Sequence, residues 1–260
     1  MSNLVLSHMM KWFAANNLVP NLDKMNIMKF ITKNLSHSTL CIGCKEKYIE
    51  KALTTELLGL KIDDHLTWKN HIEQMISKLS EACSATWWMV HISNINTLKS
   101  IYYEYFYSVI KYGIIFGGNS CNSGKIFTLQ KNIFRIMASA QPRPSCRSLF
   151  KQSEILPVPC QHTLLLMNFT INNNENFQTN SCIHNSNNTR HEHHLHGQNA
   201  SLSCFQKSTS YAGIKIFSSL ASSLTIPKIG KAKFKAATRK YLKTHSFCSV
   251  HEFYMCKDGP

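Results

Sequence analysis

Three successive stretches between Leu66 and Ala140 carry apolar residues at helical spacing, which constrains the fold of this 260-residue chain more than any other feature. The first places Trp68, Ile72, Met75, Ile76, Leu79, Ala82, Cys83, Trp87 and Val90 on one face and predicts a helix over 66–92. Asn94, Asn96 and Thr97 supply turn and N-cap chemistry before the second. That second helix carries Leu98, Ile101, Tyr102, Tyr105, Phe106, Val109 and Ile110. Gly113, Gly117, Gly118 and Gly124 then predict a loop. The third helix carries Ile126, Leu129, Ile133, Ile136, Met137 and Ala140, and its Lys131 and Arg135 share one polar edge four residues apart. Pro142 and Pro144 end it. Three amphipathic helices with short connections read as a bundle, so the fold class is mainly α.

The flanking segments are less regular. Leu4–Phe13 reads as a helix stopped by the run Asn16–Asn21, and Met25–Thr32 as a strand or short helix. Thr39–Ile42 and Leu57–Ile62 read as short strands, giving a small α+β region over 1–62 ahead of the helical region 63–150. Residues 151–167 form a short helical extension around Pro157 and Pro159. Nine Asn occur between Asn168 and Asn188, so 168–200 reads as an Asn/His-rich linker. Helices over 211–224 and 230–244 complete a basic C-terminal region, 201–260.

Charge narrows the function. The chain has 29 Lys and Arg against 14 Asp and Glu, a net +15, while only 17% of its residues are charged. It is basic because carboxylates are scarce. No acid falls between Glu104 and Glu154, where seven Lys/Arg do; none falls between Glu192 and Glu252, where nine do. Long acid-free basic stretches suit a phosphate backbone. The last predicted helix concentrates them, with Lys231, Lys233, Lys235, Arg239, Lys240 and Lys243 around Phe234, Tyr241 and Leu242. No run approaches the roughly 20 apolar residues of a membrane span, and the N-terminus does not read as a secretory signal. The expectation is an intracellular protein of nucleus or cytoplasm, not secreted and without a membrane partner, its ten cysteines reduced.

Enzymatic chemistry finds little support in the residues. Asp63-Asp64 is the one adjacent carboxylate pair, and it reads as a metal-ligand pair or as helix-start acids; the second reading is favoured because no further carboxylates cluster with it. Cys41-Ile42-Gly43-Cys44 lacks a second ligand pair at zinc spacing, and His184, His191, His193, His194 and His196 lie far along the chain. No metal site and no catalytic residue is expected. Trp68, Trp87, Trp88 and the Tyr102–Tyr107 run could stack on bases; by their helical spacing Trp68, Trp87, Tyr102 and Tyr105 are expected in the core, and Trp88, beside Trp87, is expected to face outward or toward a partner.

The order of short motifs then becomes informative. Trp12-Phe13 is followed by Asn16, Leu18, Asn21 and Lys24, and then by Leu57-Leu58-Gly59 with Ile62-Asp63, Leu66, Trp68 and His71-Ile72. Tyr112-Gly113-Ile114 with Gly118-Asn119, Leu129-Gln130-Lys131 with Ile133, Arg135 and Ile136, and Ser148-Leu149-Phe150 before Ile155-Leu156-Pro157 continue the series. Gly213-Ile214-Lys215-Ile216-Phe217 with Leu220, Phe234-Lys235 and Tyr241-Leu242 close it. The ordered set resembles the C-terminal part of reverse transcriptases of non-LTR retrotransposons, the LINE and jockey-like elements, over nearly the whole chain. It departs from that pattern at Pro20, Met25, Leu57, Gly117 (where a Trp is usual) and Ser218.

The resemblance implies that 1–62 is a palm remnant with a primer-grip-like edge and that 63–150 is a three-helix thumb. It implies RNA and DNA as partners, as an RNA–DNA hybrid or primer–template, with Lys24 on the palm edge and Lys131 and Arg135 on a thumb helix. Lys231, Lys235 and Arg239 are the nucleic-acid-binding candidates in the basic C-terminal helix. The family's Y-x-D-D turn, which holds Mg2+ in a full-length polymerase, does not occur in the sequence, so Met1 reads as internal to a longer frame and the expected activity is binding without catalysis. The alternatives are a stand-alone basic helical nucleic-acid-binding protein and a non-functional pseudogene product.

Overall fold

The computed structural model describes residues 2–30, 42–44, 47–49, 51–140, 145–180, 195–197, 199–220 and 230–256. The described chain is mainly helical, with two small antiparallel hairpins, and it divides into two compact units, 1–70 and 71–260.

In the first unit, α1 (Ser2–Ala15) ends where Asn17 turns left-handed at φ 55°. The Leu18 N–H bonds the Phe13 carbonyl at 2.9 Å and the Asn17 N–H bonds Ala14 at 3.2 Å, a Schellman stop. Pro20 follows outside the helix, so this departure removes no helical hydrogen bond. A 3-10 turn spans Leu22–Lys24. Of the segment expected over 25–32, Ile27 makes a single parallel bridge to Lys51; 31–32 lie outside the described residues, as do 39–41 of the next expected strand. Strands β1 (Ile42–Cys44) and β2 (Lys47–Ile49) pair antiparallel, as do β3 (Thr54–Leu57) and β4 (Leu60–Asp63).

The run Leu57–Ile62, expected as one strand, is broken by the Leu58-Gly59 turn. Both residues have positive φ, 51° and 78°, as a two-residue type I′ hairpin needs. Gly59 takes this freely and Leu58 carries the cost. Beyond β4, the Asp63 carboxylate accepts the Thr67 and Trp68 N–H groups, both at 2.9 Å. The Asp63 carboxylate therefore organises the turn before the next helix. Trp68 is half-buried in that turn at φ 60°, not on the helix face expected for it.

The second unit starts within α2 (Lys69–Met89), which buries His71, Ile72, Met75, Leu79, Ala82 and Thr86. Here the expectation for Trp87 fails, since its side chain is 50% exposed. The alternating three- and four-residue steps from Ile72 end on Thr86, whose hydroxyl is satisfied by donating to the Ala82 carbonyl at 2.8 Å. A threonine can therefore occupy the seam that hydrophobicity assigns to tryptophan. Trp88 is exposed, as expected.

Asn94 caps α3 (Ile95–Ile101) by accepting the Thr97 N–H at 2.9 Å. The chain continues as a π-helical segment, Tyr102–Tyr107, into α4 (Ser108–Gly117). The buried residues run Leu98, Tyr102, Phe106, Ile110 and Ile114, four apart throughout. In a pure α-helix each such step drifts about 40° around the axis; the wider π turn takes up that drift and keeps the column facing inward. Tyr105, expected inside, is turned out and 66% exposed.

The glycines expected as a loop are mostly helical, with Gly113 and Gly117 in α4 and Gly124 in α5 (Ser123–Met137). For Gly113 and Gly118 the reason is close packing. A Cβ on Gly113 would lie 2.1 Å from His71 Nε2, and one on Gly118 2.2 Å from His162 Cδ2. At Gly117 the would-be neighbour is Ile72, at ordinary contact distance, 3.5 Å. The third expected helix stops at Ser139, left-handed at φ 46°, ahead of the prolines credited with ending it.

After α6 (Arg147–Ser153), the helix α7 (Val158–Asn172) is buried on nearly every side, with Cys160, Gln161, His162, Leu166, Met167, Thr170 and Ile171 all inside. A helix surrounded by others shows no amphipathic stripe. That is why the sequence suggested only a short extension, with a linker from Asn168. It packs against α4, α5, α9 (Thr209–Ser218), α10 (Lys231–His245) and α11 (Val250–Met255). The short α8 (Ser203–Gln206) precedes α9. The core joins Leu156, Cys160, Leu166 and Met167 to Ile216, Tyr241, Leu242, Phe247 and Phe253. Helix α11 was not anticipated, although Ser249 and Glu252 spell a capping box: Ser249 Oγ accepts the Glu252 N–H at 3.1 Å. No helix among the described residues is long and apolar enough to cross a membrane.

Candidate nucleic-acid interface

The cations of α10 owe their exposure to the residues between them. Phe234, Thr238, Tyr241 and Leu242 recur at helical spacing and bury one face. Lys231, Lys235, Arg239 and Lys243 then follow at four-residue intervals along one flank, with Lys233 and Lys240 on the other. The helix contains no acid. Each like-charged pair four apart costs a helix about 0.2–0.5 kcal/mol, so the flank stores repulsion that a polyanion would relieve. Two contacts offset part of it. Lys235 Nζ donates to Asn172 Oδ1 at 2.9 Å, and Lys243 pairs with Glu154 at 3.0 Å. The Lys243 ammonium holds the Glu154 carboxyl below its usual range, with Lys99 adding to the effect. Lys231 and Arg239 are exposed.

The other candidates sit differently. Lys131 and Arg135 lie one turn apart on α5, and both are half-buried. Lys131 Nζ rests 4.9 Å from the centroid of the Phe127 ring, and Arg135 Nε is shielded from solvent without a hydrogen-bond partner. Lys24 closes the 3-10 turn of the first unit and is exposed. The structure thus aligns Lys231, Lys235 and Arg239 on one helix and Lys131 with Arg135 on another.

Two residues of the Tyr102–Tyr107 run complete the surroundings. Tyr103 is exposed and Tyr107 half-buried, their rings 5.5 Å apart and edge to face. Burial raises the Tyr103 phenol, with Tyr107 and Glu154 adding to the rise and Arg239 opposing it. Tyr103, Glu154 and Arg239 therefore share one neighbourhood. The spacing of Lys99, Tyr103 and Tyr107 was visible in the sequence; the π turn that aligns them was not.

Behind this surface lies a buried polar network. Gln130 Nε2 donates to the Tyr102 hydroxyl at 2.9 Å and the Leu156 carbonyl at 3.0 Å, and its Oε1 accepts the Val158 N–H at 2.7 Å. Gln161 also donates to the Leu156 carbonyl, at 2.7 Å. Burial pushes the Tyr102 phenol up, against the hydrogen bonds from Gln130 and Gln161. Tyr102 stacks on Phe106, 5.4 Å between centroids, and meets Phe134 edge-on at 5.2 Å. The network fixes the π segment that carries Tyr103 and Tyr107.

Among the described residues no group of three or more His, Cys, Asp or Glu is placed to hold a metal ion. Cys41 and His184, His191, His193 and His194 lie outside the described residues, and Cys83, Cys121, Cys146, Cys160, Cys204, Cys248 and Cys256 are free thiols. Comparison with protein families, curated proteins and solved structures finds no match.

Proposed function

We propose that this chain is a thumb-containing part of a non-LTR-type reverse transcriptase that grips RNA–DNA hybrid or primer–template through its backbone phosphates and does no nucleotidyl transfer itself. The carrying observation is the acid-free flank of α10, where Lys231, Lys235 and Arg239 stand in line. Two further observations agree with it. His71, from one motif of the resemblance, packs against Gly113, from another. In the proposed palm remnant, α1 leaves Leu4, Val5, Met9 and Trp12 exposed at helical spacing, a face suited to a larger domain. Such a protein works in the nucleus or cytoplasm.

The test is fluorescence anisotropy of a labelled RNA–DNA hybrid over a KCl series. Three to four neutralised phosphates at about −0.9 each give a log–log slope near −3. Replacing Lys231, Lys235 and Arg239 together by Gln brings the slope most of the way to zero. A slope already flat in the unmodified protein refutes the proposal.

A further inference from the structure

The π segment aligns more than the core. The column next to the buried residues, displaced by one position, reads Lys99, Tyr103, Tyr107 and Lys111. Because Leu98, Tyr102, Phe106, Ile110 and Ile114 all stay inward at four-residue steps, this neighbouring column stays on one side as well. Two aromatic rings therefore stand between two lysines, with Arg239 near enough to act on the Tyr103 phenol and Lys243 held against Glu154. Tyr103 is 42% exposed and Lys111 is exposed. Tyr103 also meets the fully buried Tyr102 ring edge-on, 5.4 Å between centroids, so its position is set from behind.

We propose that Tyr103 and Tyr107 form a stacking platform for unpaired bases of single-stranded RNA or DNA, whose phosphates reach Lys99, Lys111 and Arg239. The inference rests on the nucleic-acid reading above and narrows it to a strand with free bases. Two physical points select that occupant. Bases within a duplex have both faces covered, so an exposed phenol ring can stack only on a base outside one. Cations flanking the rings suit a polyanionic chain; of the nearby acids, Glu154 is already paired with Lys243, and Glu104 is exposed next to Tyr103 in the segment itself. A duplex held only through phosphates would need the cations and make no use of the rings.

The experiment compares a labelled single strand of about 12 nucleotides, within the usual range of site sizes, in RNA and DNA form, with an RNA–DNA hybrid of equal length. Proteins are the full chain, Tyr103→Leu, Tyr103→Phe and Tyr107→Leu, each checked for an unchanged thermal midpoint. A second readout is the fluorescence of 2-aminopurine placed in the single strand, which stacking quenches. Loss of a stacked aromatic weakens single-strand binding at least about fivefold. Tyr103→Leu is expected to show this loss and to abolish quenching, while Tyr103→Phe keeps both and hybrid binding stays within about twofold. An acidic-peptide surface or a plain phosphate grip predicts instead equal effects on strand and hybrid, or none, and either result overturns the platform. If hybrid binds with steep salt dependence but Tyr103→Leu leaves the strand untouched, only the platform falls. If neither strand nor hybrid binds, the nucleic-acid reading falls and the platform with it.

Discussion

Replacing Gly113 by Ala tests the packing that joins two of the sequence motifs. The new Cβ would lie 2.1 Å from His71 Nε2 and 3.1 Å from His71 Cδ2. The nearer contact is more than roughly 1 Å too close for non-bonded atoms. His71 is 4% exposed and packed against α4, so its ring has nowhere to swing. Overpacking of this kind costs about 1–3 kcal/mol, and Gly→Ala in a helix interior returns about 1 kcal/mol. With the overlap this deep, the net loss is about 1–2 kcal/mol, a midpoint lower by about 2–8 °C for a unit of this size. Gly124, near the start of α5, provides the control, because a Cβ there meets nothing within 4 Å. Gly124→Ala is expected to stabilise, by up to about 1 kcal/mol. Thermal melts followed by circular dichroism measure both. In a His71→Ala background the Gly113→Ala cost should vanish, since the obstructing ring is gone. A Gly113→Ala midpoint equal to or above the parent's, or a cost that survives in the His71→Ala background, would refute the contact as described.

The remaining predictions concern buried polar groups. Burial pushes the His162 imidazole down to about 4, with the Ile115 backbone opposing weakly, so this side chain is neutral in the native state at pH 7 and takes up a proton more readily when unfolded. Stability is therefore complete above pH 6.5 and falls as the pH drops toward 4, by up to about 1.4 kcal/mol per unit. Urea titrations at pH 7 and 5 should show the loss, and a His162→Gln protein with an equally steep decline would remove His162 as its source. For Gln130→Leu, the Val158 N–H loses its partner and the Tyr102 hydroxyl loses the Gln130 donor. The expected cost is about 2–4 kcal/mol, read from the urea midpoint, with weaker single-strand binding because the π segment loses its support. A change below about 0.5 kcal/mol, the scale of ordinary surface substitutions, would contradict the network.

Local chemistry was legible in the residues themselves. The run Asn16–Asn21 stops α1, Asn94 caps α3, and Asp63 organises the turn before α2, because each effect acts over only a few positions of chain. The amphipathic helices were legible for a related reason: a surface helix displays the environment of each residue as a period. The cations of α10 belong to this class, since the acid-free flank follows from spacing alone.

Other features depend on partners distant in sequence. Helix α7 shows no period because neighbours cover it all round, so its central place could not be read from its own residues. Gly113 looks like a turn residue until His71, 42 positions earlier, is seen against it. Thr86 displaces Trp87 from the seam through a hydrogen bond to its own backbone and the register of α2 against its neighbours. The π turn arises where a buried column spaced by four must stay inward. Charge and helical period are properties of the chain taken in order, whereas register and close approach are settled only where distant segments compete for the same volume.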